Sequence, residues 1–338
     1  MPEHPLGVLD PTILLRDYAE LWIERRIKAD ISAIRSSRTN ARHVAKALGG
    51  VRVAALERRH ALALLEWVRP HYAPRTVHHI IGALRSMCSH AIDDHLLAVN
   101  PVHFRRGELP PLVDRPGWDR TRAYFDHLEV EYLLGSPRVP EASRVLYAVL
   151  FLVGVRIGEA AALRWRNYEP EYPPIGRLWV LRSWSREHMR EGHTKTKIER
   201  PIPVHPTMAR TLDRWRNERW PAHYGREPGP DDLIFPRVRT GRRRGELDHL
   251  LTTYEWQKLQ THLAEAGLRA RRLNDGRKTF LTLAVADGAR KDILRAATHC
   301  REGDIVSGYI ETIWEQLADE VCKLRIHGEP EQLTLPLR

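Results

Sequence analysis

The chain has 338 residues, of which 42% are hydrophobic and 29% charged, enough to bury two ordinary cores and too apolar for a disordered polyelectrolyte. Lys and Arg number 54 against 43 Asp and Glu, a formal charge of +11 that favours a polyanionic partner. Cys88, Cys300 and Cys322 are far apart and lack C-x-x-C spacing, which argues against a disulfide framework and a structural zinc site and fits a reducing cytosol. The longest apolar run, Leu146 to Val155, is too short for a membrane span. The start Met-Pro-Glu-His has no signal-peptide pattern, so the expected location is cytoplasmic.

In chain order, the pattern from about Pro11 to Leu97 is helical. Ile13, Leu14, Tyr18, Leu21 and Trp22 share one face at spacings of three and four. Ser37 to Leu48, stopped by Gly49-Gly50, forms a second helix, and Leu56 to Val68 a third. Pro74 to Leu97 forms a fourth, with proline suited to its first turn. Four helices with short loops make a small bundle, and Arg35, Arg38, Arg42 and Arg85 decorate it, either as a solvated basic face or as phosphate contacts. A proline-rich, charged stretch from His103 to Asp119 reads as a linker. A second domain opens with helices, including the apolar Ala142 to Val153. It turns β-rich at Leu178 to Leu181 and Ile198 to Val204, and resumes helix at Pro206 to Trp220. Residues 221–248, with Arg242, Arg243 and Arg244, read as a loop, and helical patterns continue to Leu324. The expected domains are 1–105, a linker over 106–119, 120–325 and a tail over 326–338 that extends outward.

Four segments of the second domain carry chemistry. The first is Gly154-Val155-Arg156-Ile157-Gly158-Glu159-Ala160, followed by Leu163-Arg164-Trp165. Arg156 and Glu159 are three apart on a helix beginning near Gly154, so the carboxylate can orient the guanidinium. The second is Thr194-Lys195-Thr196-Lys197-Ile198-Glu199-Arg200-Pro201-Ile202-Pro203-Val204, where strand alternation puts Lys195 and Lys197 on one face. The third is Asn274-Asp275-Gly276-Arg277-Lys278-Thr279-Phe280. The fourth is Ala297-Thr298-His299 with Tyr309 ten residues on, the only tyrosine after Tyr254.

In this order the four segments resemble the motifs of the tyrosine recombinase and phage integrase family: G-x-R-x-G-E-x-x-x-L-x-W, a lysine-bearing β-hairpin, H-D-L-R-H-T-F, and L-G-H followed by a tyrosine. The third is degraded, with Asn274 where His or Lys is usual, Gly276 where Leu is usual and Lys278 where His is common. The resemblance implies a mainly α fold with a small antiparallel β-sheet. A helical N-terminal core-binding (SAM-like) domain precedes a mixed α+β catalytic domain. It implies a site-specific recombinase that acts on double-stranded DNA without metal or ATP, as a homotetramer on two sites. Arg156 and Arg277 then bind the scissile phosphate, Lys195, with Lys197 second, protonates the leaving 5′ oxygen, His299 hydrogen-bonds the phosphate, and Tyr309 is the nucleophile. Glu159 and Asn274 support them. The DNA contacts are Arg35, Arg38, Arg42, Arg85, Lys197 and Arg242 to Arg244. Two other readings of the same residues are a DNA-binding relative with weakened or lost catalysis, marked by Asn274, and a type IB topoisomerase-like enzyme.

Overall fold

A computed structural model describes residues 9–29, 34–112, 123–194, 197–298 and 313–328. The chain divides into two compact units, Met1–Arg115 and Pro116–Arg338. It is mainly helical, with small antiparallel sheets confined to the second unit. Among the described residues no helix is long and apolar enough to cross a membrane.

The first unit is built from α1 (Leu15–Lys28), α2 (Ile34–Leu48), α3 (Arg58–Val68) and α4 (Pro74–Asp93). Each is helical because its apolar residues recur with helical period and face one core. In α1 those residues are Leu15, Tyr18, Ala19, Trp22 and Ile23, all buried. In α4 they run from Val77 to Ala91, and Pro74 occupies the first turn, where its missing N–H is not needed. Residues 103–112 lie against this bundle. Arg58 grips both oxygens of Glu108, His78 Nε2 meets the Pro110 carbonyl at 2.9 Å, and Phe104 and Leu109 pack on the core.

The second unit is organised around α6 (Glu141–Leu152), whose residues from Val145 to Leu152 are all buried. A helix apolar on every side belongs in the middle of a domain. Before it stands α5 (His127–Gly135), begun by a reciprocal capping box in which Asp126 accepts from the Glu129 amide and Glu129 from the Asp126 amide, each at 2.9 Å. After it comes the single turn α7 (Ile157–Ala160), then β1 (Tyr168–Glu169), β2 (Arg177–Val180), β3 (Arg182–Ser185), β4 (Arg190–His193) and β5 (Arg200–Pro203). One sheet has the order β1-β2-β5, with Leu178 opposite Ile202 and Val180 opposite Arg200. β3 and β4 form a separate hairpin.

Helix α8 (Pro206–Arg214) passes through a π-helical turn at Trp215–Arg219 into α9 (Trp220–Tyr224). Pro221 cannot donate to the ladder, which accounts for the irregular turn before it. The stretch read as a loop contains the end of α9 and a short hairpin, β6 (Arg237–Val238) with β7 (Leu247–Asp248). The signal was weak because each strand has two residues. The unit closes with α10 (Thr252–Glu265), α11 (Asp275–Ala286), α12 (Lys291–Thr298) and α13 (Trp314–Cys322). The first residues of the expected outward tail do not lead away. Ile326 is buried, its carbonyl accepts from Thr207 Oγ1, and Glu131 receives the amides of His327 and Gly328.

Candidate active site

The site begins at the segment joining α6 to α7. Gly154 turns the chain with φ +70°, and a Cβ there would lie 2.6 Å from the Phe280 ring, so glycine is required on both counts. The turn aims the Gly154 carbonyl at α11, where Arg277 Nη1 donates to it at 3.0 Å. Arg156 follows as the N-cap of α7. Its Nη1 donates to Glu159 Oε1 at 2.9 Å and its backbone amide to Glu159 Oε2 at 3.0 Å. The ion pair expected from the spacing is therefore present, although the helix starts after Arg156 and is one turn long. The Arg156 side chain keeps 28% of its exposure while the Glu159 carboxylate has none.

Asn274, the departure at the start of the third motif, has a definite partner. Its Oδ1 accepts from the Ile157 amide at 3.1 Å, satisfying a donor in the first turn of α7. Gly276, the second departure, lets α11 approach α6: a Cβ there would stand 2.9 Å from Leu150 Cβ and 3.2 Å from the Leu150 carbonyl oxygen. A leucine at that position would force the two helices apart. The first and third motifs are thus joined by two hydrogen bonds that flank Arg156, spanning 123 and 117 positions of sequence.

Strand β5 adds a residue that the sequence reading missed. Arg200 is 1% exposed. Its Nη2 donates to Glu159 Oε2 at 2.7 Å, its Nη1 to Oε1 at 3.4 Å, and its Nε to the Ala297 carbonyl at 2.8 Å. Burial alone pushes the Glu159 carboxyl up, but the two arginines, Arg200 first, outweigh it and hold the group below the usual carboxylate range. A signal was available. Strand alternation puts Arg200 on the same face as the buried Ile202, and an arginine on a core face must find a buried anion.

Lys197 is exposed, has φ +58°, donates its amide to the Thr194 carbonyl at 2.8 Å and is not in a strand. Strand alternation therefore does not set the direction of its side chain. Lys195, His299 and Tyr309 lie outside the described residues. What is described on either side is well anchored. Thr194 Oγ1 donates to the Ile198 carbonyl, Thr298 ends α12, and Trp314 donates from Nε1 to the Pro173 carbonyl. Among the described residues no group of three or more His, Cys, Asp or Glu is disposed to hold a metal ion.

Of the other basic residues singled out, Arg35, Arg38 and Arg42 are exposed on one face of α2, and Lys46 continues the stripe one turn further on. Arg85 is exposed and donates from Nε to the Val102 carbonyl. Arg242 to Arg244 are exposed in the turn between β6 and β7, with Arg243 4.0 Å from Glu246.

No protein-family model matches the sequence, and no curated protein matches it. Solved structures do. The integrase of transposon Tn1549 in complex with a circular intermediate DNA superposes with a TM-score of 0.67 at 13% identity, over 91% of this chain and 98% of that one. The chain has the integrase fold. A lambda integrase dimer bound to a COC′ core site matches with a TM-score of 0.62 at 16% identity, over 91% of this chain and 78% of the other. A lambda integrase tetramer bound to a Holliday junction gives 0.64 at 15%, over 87% and 80%. The fold agrees with the one implied by the four motifs, a mainly helical chain with small antiparallel sheets.

Proposed function

We propose that the chain is a site-specific DNA recombinase of the tyrosine recombinase family that cleaves and rejoins DNA through Tyr309. The observation that carries this reading is the convergence of Arg156 and Arg277 on the segment Gly154–Ile157, through the Arg277 bond to the Gly154 carbonyl and the Asn274 bond to the Ile157 amide. Arg156 lies within that segment and Arg277 is bonded to its first residue, and in the proposed complex the two cations share the non-bridging oxygens of one phosphate. Charge builds on those oxygens as phosphorus becomes pentacoordinate, and fixed cations stabilise it.

In the proposed reaction the Tyr309 oxygen attacks phosphorus and the bond to the 5′ oxygen breaks. The departing oxygen takes a proton from Lys195, and His299 hydrogen-bonds the phosphate. Tyrosine is a weak nucleophile at its ordinary pKa of about 10, so neighbouring cations must favour its anion. Its proton passes to water, because an amide at position 274 cannot accept one near neutrality. The product is a 3′-phosphotyrosyl ester and a free 5′ hydroxyl. Attack on that ester by a 5′ hydroxyl of the partner strand reverses the step, so exchange consumes neither ATP nor a metal ion. The arginines of α2 and of the β6–β7 turn contact the DNA backbone, and four protomers act on two sites.

The test is a nicked suicide duplex incubated with the full chain. An SDS-resistant protein–DNA adduct is expected in the presence of EDTA. It should be absent from Tyr309→Phe, which removes one oxygen at nearly constant volume and leaves DNA affinity intact. Arg156→Ala and Arg277→Ala should each reduce the adduct by orders of magnitude. No adduct from the wild-type chain would instead favour the DNA-binding relative without catalysis, and an adduct surviving in Tyr309→Phe would place the nucleophile elsewhere.

A further inference from the structure

Arg200 lies too deep to touch a DNA phosphate, yet it is bonded to the carboxylate that orients Arg156. A guanidinium with 2% of its side chain exposed has been removed from water at considerable cost. Such a group persists only with its hydrogen bonds and charge satisfied. Its partners come from two different elements: Glu159 of α7 and the Ala297 carbonyl in the last turn of α12. Carbonyls at a helix C-terminus carry partial negative charge and lack intrahelical donors, so the Ala297 bond also closes the end of α12.

The charge balance gives this arrangement a consequence. Glu159 accepts from Arg156 and Arg200 at once, at 2.9 and 2.7 Å. With Arg156 alone, the carboxylate would cancel most of the positive charge that Arg156 could offer a phosphate. With Arg200 behind it, the cluster of two arginines and one glutamate keeps a net positive charge, and Arg156 is the member that reaches solvent. Glu159 can then fix the direction of Arg156 without neutralising it. We infer that Arg200 is a positioning residue for the reaction: it neutralises Glu159 from behind, so that Arg156 is oriented and still charged toward the scissile phosphate. This inference rests on the reading of Arg156 as a phosphate-binding arginine.

The experiment measures single-turnover adduct formation on the nicked duplex, DNA affinity and thermal unfolding, all on the full chain. Its variants are Arg156→Ala, Arg200→Met, Arg200→Lys and Arg200→Met combined with Glu159→Gln. Arg200→Met should slow adduct formation by about 10- to 100-fold, within the range for loss of one stabilising group, and leave DNA affinity within about threefold. The defect should shrink as the pH is lowered, because a protonated Glu159 no longer cancels Arg156. Among the described residues, the charged groups facing Glu159 are Arg156 and Arg200. Adding Glu159→Gln to Arg200→Met should restore at least about tenfold of the lost rate, since it removes the unneutralised charge. Arg200→Lys, which keeps the charge without the fork, should fall between wild type and Arg200→Met.

Merely structural loss would slow the reaction equally at every pH and would not be rescued by the second substitution. That pattern overturns the inference, as does an Arg200→Met rate within about twofold of wild type while Arg156→Ala is inactive. If Arg156→Ala is as active as wild type, the underlying reading fails instead. Should Arg200→Met not fold, Arg200→Lys tests the fork, and the double variant Arg200→Met with Glu159→Gln, which leaves neither buried charge of the pair, tests neutralisation. A Lys variant that folds, and whose rate and pH profile equal those of wild type, shows that the fork is dispensable and leaves neutralisation to be judged from the doubly neutral variant. An inactive but folded double variant then overturns the inference.

Discussion

In the amino-terminal unit the arginines of α2 are exposed, whereas in the carboxy-terminal unit Arg200 and Arg271 are almost wholly buried. Arg271 Nη2 donates to both oxygens of Glu129 at 2.7 Å, its Nε donates to the Tyr124 carbonyl, and its guanidinium lies over Phe125 at 4.6 Å. It thereby ties the start of α5 to the loop that leads into Asn274 and Arg277. The nearest counterpart in the first unit, Arg25 with Asp94 at 2.7 Å, joins α1 to the end of α4 and leaves 17% of the arginine exposed. The difference separates two uses of the same residue. An exposed arginine offers a long-range field that tolerates small displacements. A buried arginine has fixed partners and sets the position of whatever its partners hold.

The largest effect is expected when Arg271 is deprived of its anion. Glu129→Leu leaves a buried guanidinium uncompensated and removes part of the α5 cap. We expect the carboxy-terminal unit to lose about 3–5 kcal/mol of stability, read from its urea transition. The double variant Glu129→Leu with Arg271→Met should recover much of that loss, because both charges are gone. A single-variant loss below about 1 kcal/mol would mean that the pair is solvated in practice, and the contrast between the units would fail.

A smaller effect is expected at His205, which caps α8. Its Nδ1 accepts from the Thr207 amide at 3.2 Å and its Nε2 faces the Leu324 carbonyl at 2.9 Å, a pattern that only the neutral ring with its proton on Nε2 can make. Burial, aided by Arg210 and His327 and opposed by the Leu324 bond, holds its pKa below the ordinary value. A histidine lowered in the folded state contributes stability that is present above the unfolded pKa, about 6.5, and is lost as the pH falls through the lower folded value. The protection of the Thr207 amide, the intrinsic exchange rate relative to the observed rate at each pH, should therefore fall on acidification below about pH 6.5, and should stay constant over that range in His205→Gln. Equal pH dependence in both proteins would remove His205 as the cause.

Much of the fold was legible because helical periodicity is local. The buried face of α1, the proline start of α4 and the apolar α6 can each be read within the helix itself, 14, 20 and 12 residues long. The ion pair of Arg156 with Glu159 was legible for the same reason, being three residues apart. The rest was not, because its partners are distant. Arg200 meets Glu159 across 41 positions and Ala297 across 97, and Asn274 meets Ile157 across 117. Asn274 reads as a loss when set against a motif, since an amide cannot move a proton. In the structure it is also a gain, a cap for the one-turn helix that follows Arg156.

Asn274 contributes at about the level of a single helix cap. Asn274→Ala removes the acceptor for the Ile157 amide and should cost about 1 kcal/mol, with a modest fall in adduct formation. Asn274→Asp keeps the oxygen and should be nearer wild type in stability. Asn274→His tests whether proton transfer is limiting, and its adduct rate should equal or exceed that of wild type. If it abolishes the adduct while folding and DNA binding persist, the cap matters more than the proton.

The smallest effect on the fold, and the one that completes the contrast, belongs to the stripe Arg35, Arg38, Arg42 and Lys46. These side chains are exposed at intervals of three or four along α2, so they share one face while Ser37, Ala41, Val44 and Leu48 face the core. Replacing Arg38 or Arg42 with Ala should leave the unfolding transition of the amino-terminal unit unchanged, as is usual for exposed substitutions, while Lys46→Ala should show a small loss because its ammonium lies 5.7 Å from the Trp67 ring centroid. The effect of each substitution in the stripe on binding to duplex DNA should appear as a change of slope. Each cation that neutralises a phosphate releases condensed counterions, so the plot of log affinity against log salt should flatten by about 0.9 per contact removed. Because a field is shared, the four substitutions should act almost additively and without preference for DNA sequence. A variant whose affinity falls by the same factor at every salt concentration would show that its side chain acts through the fold, as Arg271 does. An unchanged slope with all four replaced would mean that the DNA meets a different face of the bundle.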